Sequence, residues 1–220
     1  MQTHQIKNHM MSLTVAEHGA EITSIQLEGI ERMWDADPAF WGRTAPVLFP
    51  IVGALKDNSY RYEGQTYSMG QHGFARDMDF ALTDQTEDKL EFTLSDNEET
   101  YEKYPFHFQL QIIYEIFQNQ CRVTWKVKNM DDKTMYFQIG GHPAFACPCE
   151  GGMIGMITVS APENLRFWKW HFWKMDFLAT KKNFIPMNLY WKRIPLHVMR
   201  LFCKMRRSDI WNLSIICPIR

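Results

Sequence analysis

YFQIGGHPAF, residues Tyr136–Phe145, is the stretch around which the rest of the chain is arranged. Tyr136, Gln138 and Gly140 alternate with Phe137 and Ile139, the two-residue period of a strand. The strand runs into Gly140 and Gly141, which carry no Cβ and so admit close approach of backbone or a ligand. Pro143 then restricts His142 to extended backbone angles and fixes its imidazole at the strand's end. A histidine held there is a candidate acid or base, because its proton exchanges near neutral pH. A hydrogen-bonded histidine beside a tight turn fits this stretch equally well.

Upstream, short alternating segments follow one another closely. Ser12–Val15 and Glu21–Leu27 read as strands joined through His18, Gly19 and Ala20. Asp37–Gly42 reads as one helical turn, with Asp37 as its cap and Pro38 at its first position. Ala45–Gly53 carries too many prolines for a central strand and is expected to be a buried extended segment. Tyr60–Tyr67 is a hairpin signal about Glu63 and Gly64. Met78–Thr83 and Leu90–Ser95 form a strand pair, and Asp96 is expected to cap a short helix that stops before Pro105. Phe108–Phe117 and Arg122–Lys128 form another hairpin. Many strands at short spacing with little helix between them predict an all-β fold, an antiparallel sandwich or barrel.

The 220 residues suffice for one good-sized core, and 45% apolar with 14% aromatic content marks a globular chain. The polar N-terminus lacks the apolar run of a signal peptide, and Ala45–Leu55 is too short and too proline-rich to span a bilayer. A cytoplasmic location without membrane partners is therefore expected. Five irregularly spaced cysteines fit reduced thiols better than a disulfide framework. His72, flanked by Gly73 and followed by Arg76 and Asp77, has no second ligand at metal spacing, and Cys147-Pro-Cys149 lacks the two-residue gap usual for zinc. No metal and no cofactor are expected, and neither a phosphate loop nor a G-x-S-x-G turn is present. Arg43 is placed to reach a polar ligand or to join a surface salt bridge.

Four motifs in order, WGRTAPVLFPIVGALKDNSY, QHGFARDMDF, NEETYEKYPFHF and FQIGGHPAF, give residues 12–150 a resemblance to the aldose 1-epimerase (galactose mutarotase) family, in its LacX-like branch. The resemblance implies a large antiparallel β-sandwich holding a sugar in a cleft on one sheet face. It also implies cofactor-free interconversion of the α and β anomers of an aldohexose or a derivative. Ring opening needs a proton removed from the C1 hydroxyl and one given to the ring oxygen, work for an acid/base pair. By resemblance His142 matches the acid and His72 the second, sugar-binding histidine. Arg76 and Arg43 are candidate substrate contacts, and Phe74 a candidate for packing on the sugar's apolar face or in the core. Ala54 stands where family members often carry an arginine. A non-catalytic carbohydrate-binding protein and a non-functional fragment are the alternatives.

The last third breaks the pattern. Residues 1–150 hold 22 acidic and 12 basic residues, whereas residues 151–220 hold three acidic and 12 basic, with five of the eight tryptophans. Such a tail can be read as a nucleic-acid or membrane-surface segment, but neither partner is expected here. The family's Glu-Pro-Trp-like general-base motif has no counterpart, and the chain is shorter than usual for the family. The preferred expectation is a shifted reading frame. Met153–Thr158 can be encoded ATG ATT GGG ATG ATT AC-, which one base earlier gives Asp-Asp-Trp-Asp-Asp-Tyr. That shift turns methionines into acids and tryptophans into leucines, accounting for both excesses. Residues 1–150 are thus expected to be a genuine part of the sandwich and residues 151–220 an aberrant segment that leaves strand edges unpaired.

Overall fold

A computed structural model of the chain describes residues 1–146, 201–205 and 210–218. Its strands pair antiparallel throughout. The first sheet runs in the order β1 (Thr3–Lys7), β2 (Met11–Ala16), β3 (Ile22–Leu27), β4 (Ile30–Glu31). Residues alternate in burial along β2, and Leu13 and Val15 are fully buried. β5 (Val47–Leu48) is followed by a separate hairpin of β6 (Ser59–Tyr62) and β7 (Gln65–Ser68). Glu63 and Gly64 both take positive φ at its turn, the conformation that lets two strands reverse tightly.

The main sheet comprises β8 (Ala81–Gln85), β9 (Lys89–Ser95), β10 (Phe108–Phe117) and β11 (Gln120–Asn129). Phe92, Leu110, Ile112 and Tyr114 point from it into one core shared with β2 and β3. The Tyr114 hydroxyl donates to the Ala20 carbonyl at 2.6 Å, tying the main sheet to the β2–β3 turn. Between β9 and β10 lies α1 (Glu98–Lys103). Its cap is Asn97, one residue later than expected, because Asn97 and Thr100 satisfy each other's backbone amides in a capping box. Asp96 is occupied elsewhere, accepting from the Phe108 amide at 3.0 Å and pairing with the His107 ring.

β12 (Met135–Gly141) is the strand read first in the sequence, and Phe137 and Ile139 on it are buried. Its far end pairs with β5 through Gly140 opposite Leu48 and Gly141 opposite Val47. The open edges expected from the tail are not seen there. β13 (Leu201–Met205) pairs with β12, and β14 (Ile210–Pro218) extends the main sheet beside β11. A ladder is built from backbone amides and carbonyls, so a segment can complete it without a matched side-chain pattern. The molecule is an antiparallel β-sandwich, as the strand spacing predicts. The composition break beyond residue 150 falls mainly outside the described residues.

Candidate active site

The proline-rich segment Pro46–Gly53 is the brace of the site. On one side it holds the end of β12: the His142 amide donates to the Pro46 carbonyl at 3.1 Å, and the Gln138 amide to Pro50 at 2.8 Å. The Gln138 side chain also accepts from the Val52 amide at 2.9 Å. On the other side the segment holds the His72 loop. Phe49 pairs with Gly73, and its carbonyl accepts from the amides of Phe74 and Ala75. The prolines that rule out a central strand thus leave carbonyls free to accept from both neighbours.

His72 is clamped twice by one residue. Its amide donates to the Gly53 carbonyl at 2.8 Å, and the Gly53 amide donates to Nδ1 of its ring at 3.0 Å. It sits at φ +68°, a left-handed setting unusual for a side-chain-bearing residue and typical of sites where geometry is held for function. Gly73 follows at φ +73°, where an added Cβ would lie 2.2 Å from the Phe49 carbonyl oxygen. Only glycine fits that approach.

These restraints bring His72 and His142 together, ring centres 6.2 Å apart and nearly perpendicular. His142 is 8% exposed, and its buried Nδ1 has no hydrogen-bond partner among the described residues. Burial lowers the His142 pKa, a backbone hydrogen bond at the residue itself offsets part of this, and the Arg76 charge lowers it further. The same two lowering causes, with His142 itself adding a smaller effect, bring His72 down to about 4. Both imidazoles are therefore neutral near pH 7. Since Nδ1 of His72 accepts from an amide, its Nε2 carries the proton, and Nε2 lies 3.4 Å from the side-chain amide of Gln71.

Arg76 belongs to this group. It donates from Nη2 to the Gln71 carbonyl at 2.9 Å, while its buried Nε, 3.5 Å from the Asp77 carboxylate, makes no well-formed hydrogen bond. Its loop is supported by Gly19 at φ +70°, where a Cβ would come 2.8 Å from the Arg76 carbonyl oxygen. Arg43 is held in an ion pair with Asp77, donates to the Arg76 carbonyl at 3.2 Å, and stands 3.8 Å from Glu21. Of the sequence's two readings for Arg43, the salt bridge is the one the coordinates display. Phe74 is 8% exposed and packs among Phe49, Tyr104 and Phe108, so its ring serves the core. Trp125, against which a Cβ on Gly141 would lie at 3.1 Å, is what approaches that glycine.

The sequence reading missed Gly53, Gln138 and Glu21. Glu21 is buried and accepts from the Thr44 amide, the Thr44 hydroxyl and the Ala45 amide, at 2.6, 2.9 and 2.8 Å. It thereby fixes Thr44, whose carbonyl receives the Ala144 amide, and Ala45, the neighbour of the Pro46 whose carbonyl receives the His142 amide. Its place as the first residue of a predicted strand carried no signal of this. Among the described residues no group of three or more His, Cys, Asp or Glu could hold a metal ion, and no helix is long and apolar enough to cross a membrane.

The chain is similar to several known proteins. It is 34% identical to the chromosomal LacX protein of Lactococcus lactis subsp. lactis over 157 residues, which are 68% of this chain and 52% of that one. The plasmid LacX protein of the same organism matches equally. The chain thus spans about half the length of the curated relatives it matches. A galactose mutarotase related enzyme from Lactobacillus acidophilus superposes with a TM-score of 0.79 at 26% identity, covering 100% of this chain and 97% of that one. A galactose mutarotase-like protein from Lactobacillus casei ATCC 334 shares the fold with a TM-score of 0.76 at 24% identity, covering 100% of both chains. The family model for aldose 1-epimerase matches residues 2–166, three quarters of the chain and all of the residues that build the site. By that match, on a sandwich that brings His72, His142 and Arg76 together, this chain is a member of the aldose 1-epimerase family.

Proposed function

We propose that the protein is a cytoplasmic, cofactor-free isomerase that interconverts the α and β anomers of an aldohexose or its derivative, with slow turnover in this chain. The observation that carries the reading is the pairing of His72 with His142 beside Arg76. His142 gives a proton to the ring oxygen as the C1–O5 bond opens. The C1 hydroxyl proton passes to solvent water, and the open aldehyde rotates about C1–C2 before the steps reverse. His72, with its proton on Nε2, donates a hydrogen bond to a sugar oxygen, and Arg76 supplies a fixed positive charge.

Turnover is slow for two reasons. None of the matched motifs is the family's Glu-Pro-Trp-like base motif, and a positioned base is worth about 10²–10⁴-fold. His142 is also mostly neutral at pH 7, so the protonated fraction is small. The charge reversal beyond residue 150 supports a frame shift in that segment. The coding DNA tests that part: a single-base change near the codon for Met153 restores an acidic frame ending in a Glu-Pro-Trp-like motif. A gene in which no such change does so removes it.

Saturation transfer between the two anomeric proton signals, measured at equilibrium for glucose, galactose and their phosphates, tests the activity itself. Faster exchange than in buffer is expected for at least one of these sugars. Titration calorimetry separates the second reading, a sugar-binding protein without turnover, which gives heat but no added exchange.

A further inference from the structure

We propose that Trp41 is the positioning residue for His142, its indole holding the imidazole in the orientation from which the proton is delivered. The inference rests on His142 being the acid of the proposed reaction.

Trp41 closes the turn that Asp37 begins. The amides of Phe40 and Trp41 both donate to the Asp37 carbonyl, and the Asp37 side chain accepts from Ala39 at 2.9 Å. The turn is pinned to the strand end by a neighbouring tryptophan. Trp34, 5% exposed, donates from its indole to the Trp41 carbonyl at 2.8 Å and from its amide to Ala144 at 3.0 Å. Trp41 and His142 are thus tied to one scaffold.

The indole itself is only partly buried and stands apart from the hydrophobic core cluster. It lies over His142 instead, with ring centres 4.9 Å apart and planes 41° from parallel. Among the described residues its Nδ1 has no hydrogen-bond partner, so another contact must set the ring. His72 is set by the Gly53 amide; His142 has an aromatic face in place of such a bond. A tilted ring contact at this distance restricts rotation about the outer side-chain bond and removes water from one side of the imidazole. Among the described residues the titratable and charged groups around the imidazole are His72 and Arg76, both from the loop on the other side. The brace segment Pro46–Gly53 contributes no charged residue, and Asp37 is engaged within its own turn.

The test compares the wild-type chain with Trp41→Ala and Trp41→Phe, following the His142 ring proton by NMR against pH, its signal assigned by loss in His142→Gln. In Trp41→Ala the His142 midpoint moves up toward the ordinary 6.5, while that of His72 stays where it was. kcat for anomer exchange falls about tenfold or more with KM changed less than about threefold, the split expected when orientation and not binding is lost. Trp41→Phe retains both properties. Should Trp41→Ala lose the wild-type circular dichroism, Trp41→Gln is read in the same way. A His142 midpoint unchanged by removing the indole overturns the proposal. A wild-type chain without anomer exchange overturns the isomerase reading instead, and the titration still decides what Trp41 does.

Discussion

The amide of Gly53 donates to Nδ1 of His72 at 3.0 Å, while the amide of His72 donates back to the carbonyl of Gly53 at 2.8 Å. This reciprocal pair selects the tautomer with the proton on Nε2 and leaves the side chain a donor only. At pH 7, nitrogen-15 NMR of the ring is expected to show a neutral imidazole with unprotonated Nδ1. A cationic ring, or the opposite tautomer, contradicts the assignment.

Neutral burial of His72 also sets a pH dependence of stability. Its pKa lies at about 4 in the folded state against an ordinary 6.5, so the unfolded chain binds the proton first as pH falls. The contribution is fully present above 6.5 and is lost progressively as pH drops from 6.5 through about 4. Urea midpoints measured across that window should fall for the wild type and fall less steeply for His72→Gln. Parallel curves for the two chains would remove His72 from the cause.

Catalysis should respond to pH in the opposite sense. His142 donates only when protonated, and its pKa is lowered by burial and by Arg76. After subtraction of the buffer rate, anomer exchange per folded molecule is expected to rise as pH falls below neutrality. A rate that declines on acidification, with the fold intact, points to a base and not an acid as the limiting group.

Gly73 and Gly64 offer a matched pair of substitutions. Both have positive φ, but a Cβ on Gly73 would meet the Phe49 carbonyl at 2.2 Å, whereas nothing lies within 4 Å of one on Gly64. Gly64→Ala should cost about 1–2 kcal/mol, the price of the left-handed conformation alone. Gly73→Ala adds the clash and should cost at least about 3 kcal/mol, or prevent folding. Chemical denaturation of the two variants checks the difference, and equal losses contradict the close approach.

Glu21→Ala removes the acceptor for three donors at residues 44 and 45. Hydrogen bonds to a buried carboxylate are worth about 1.5–3 kcal/mol, and the orphaned amides add their own penalty. A loss of about 3 kcal/mol is expected, with sugar turnover reduced because the brace under His142 loosens. Stability within about 0.5 kcal/mol of wild type, the range of an ordinary surface change, would show that Glu21 does not hold the segment.

How much of this was legible in the sequence depended on whether the signal was local. The hairpin of Tyr60–Tyr67 and the long pair β10–β11 announced themselves by alternation and turn residues, and both formed where expected. β1 did not, because it is an edge strand with only Ile6 buried, and one apolar residue makes no period. The α1 cap slipped by a residue because Asp96 and Asn97 are both competent caps, and only the fold shows that Asp96 is taken by Phe108 and His107. His142 and His72 stood out by their glycine and proline neighbours, and the structure brings them together. The roles of Gly53, Gln138, Glu21 and Trp41 rest on contacts across long sequence separations, which no local pattern encodes.

Polarimetry of freshly dissolved α-galactose and α-glucose, with the wild-type chain and with His142→Ala, tests the assignment of His142 most directly. Mutarotation above the buffer rate in the wild type, abolished by His142→Ala while circular dichroism is unchanged, is the expected result. Acceleration that survives His142→Ala, or a wild-type rate equal to that of buffer for both sugars, contradicts it.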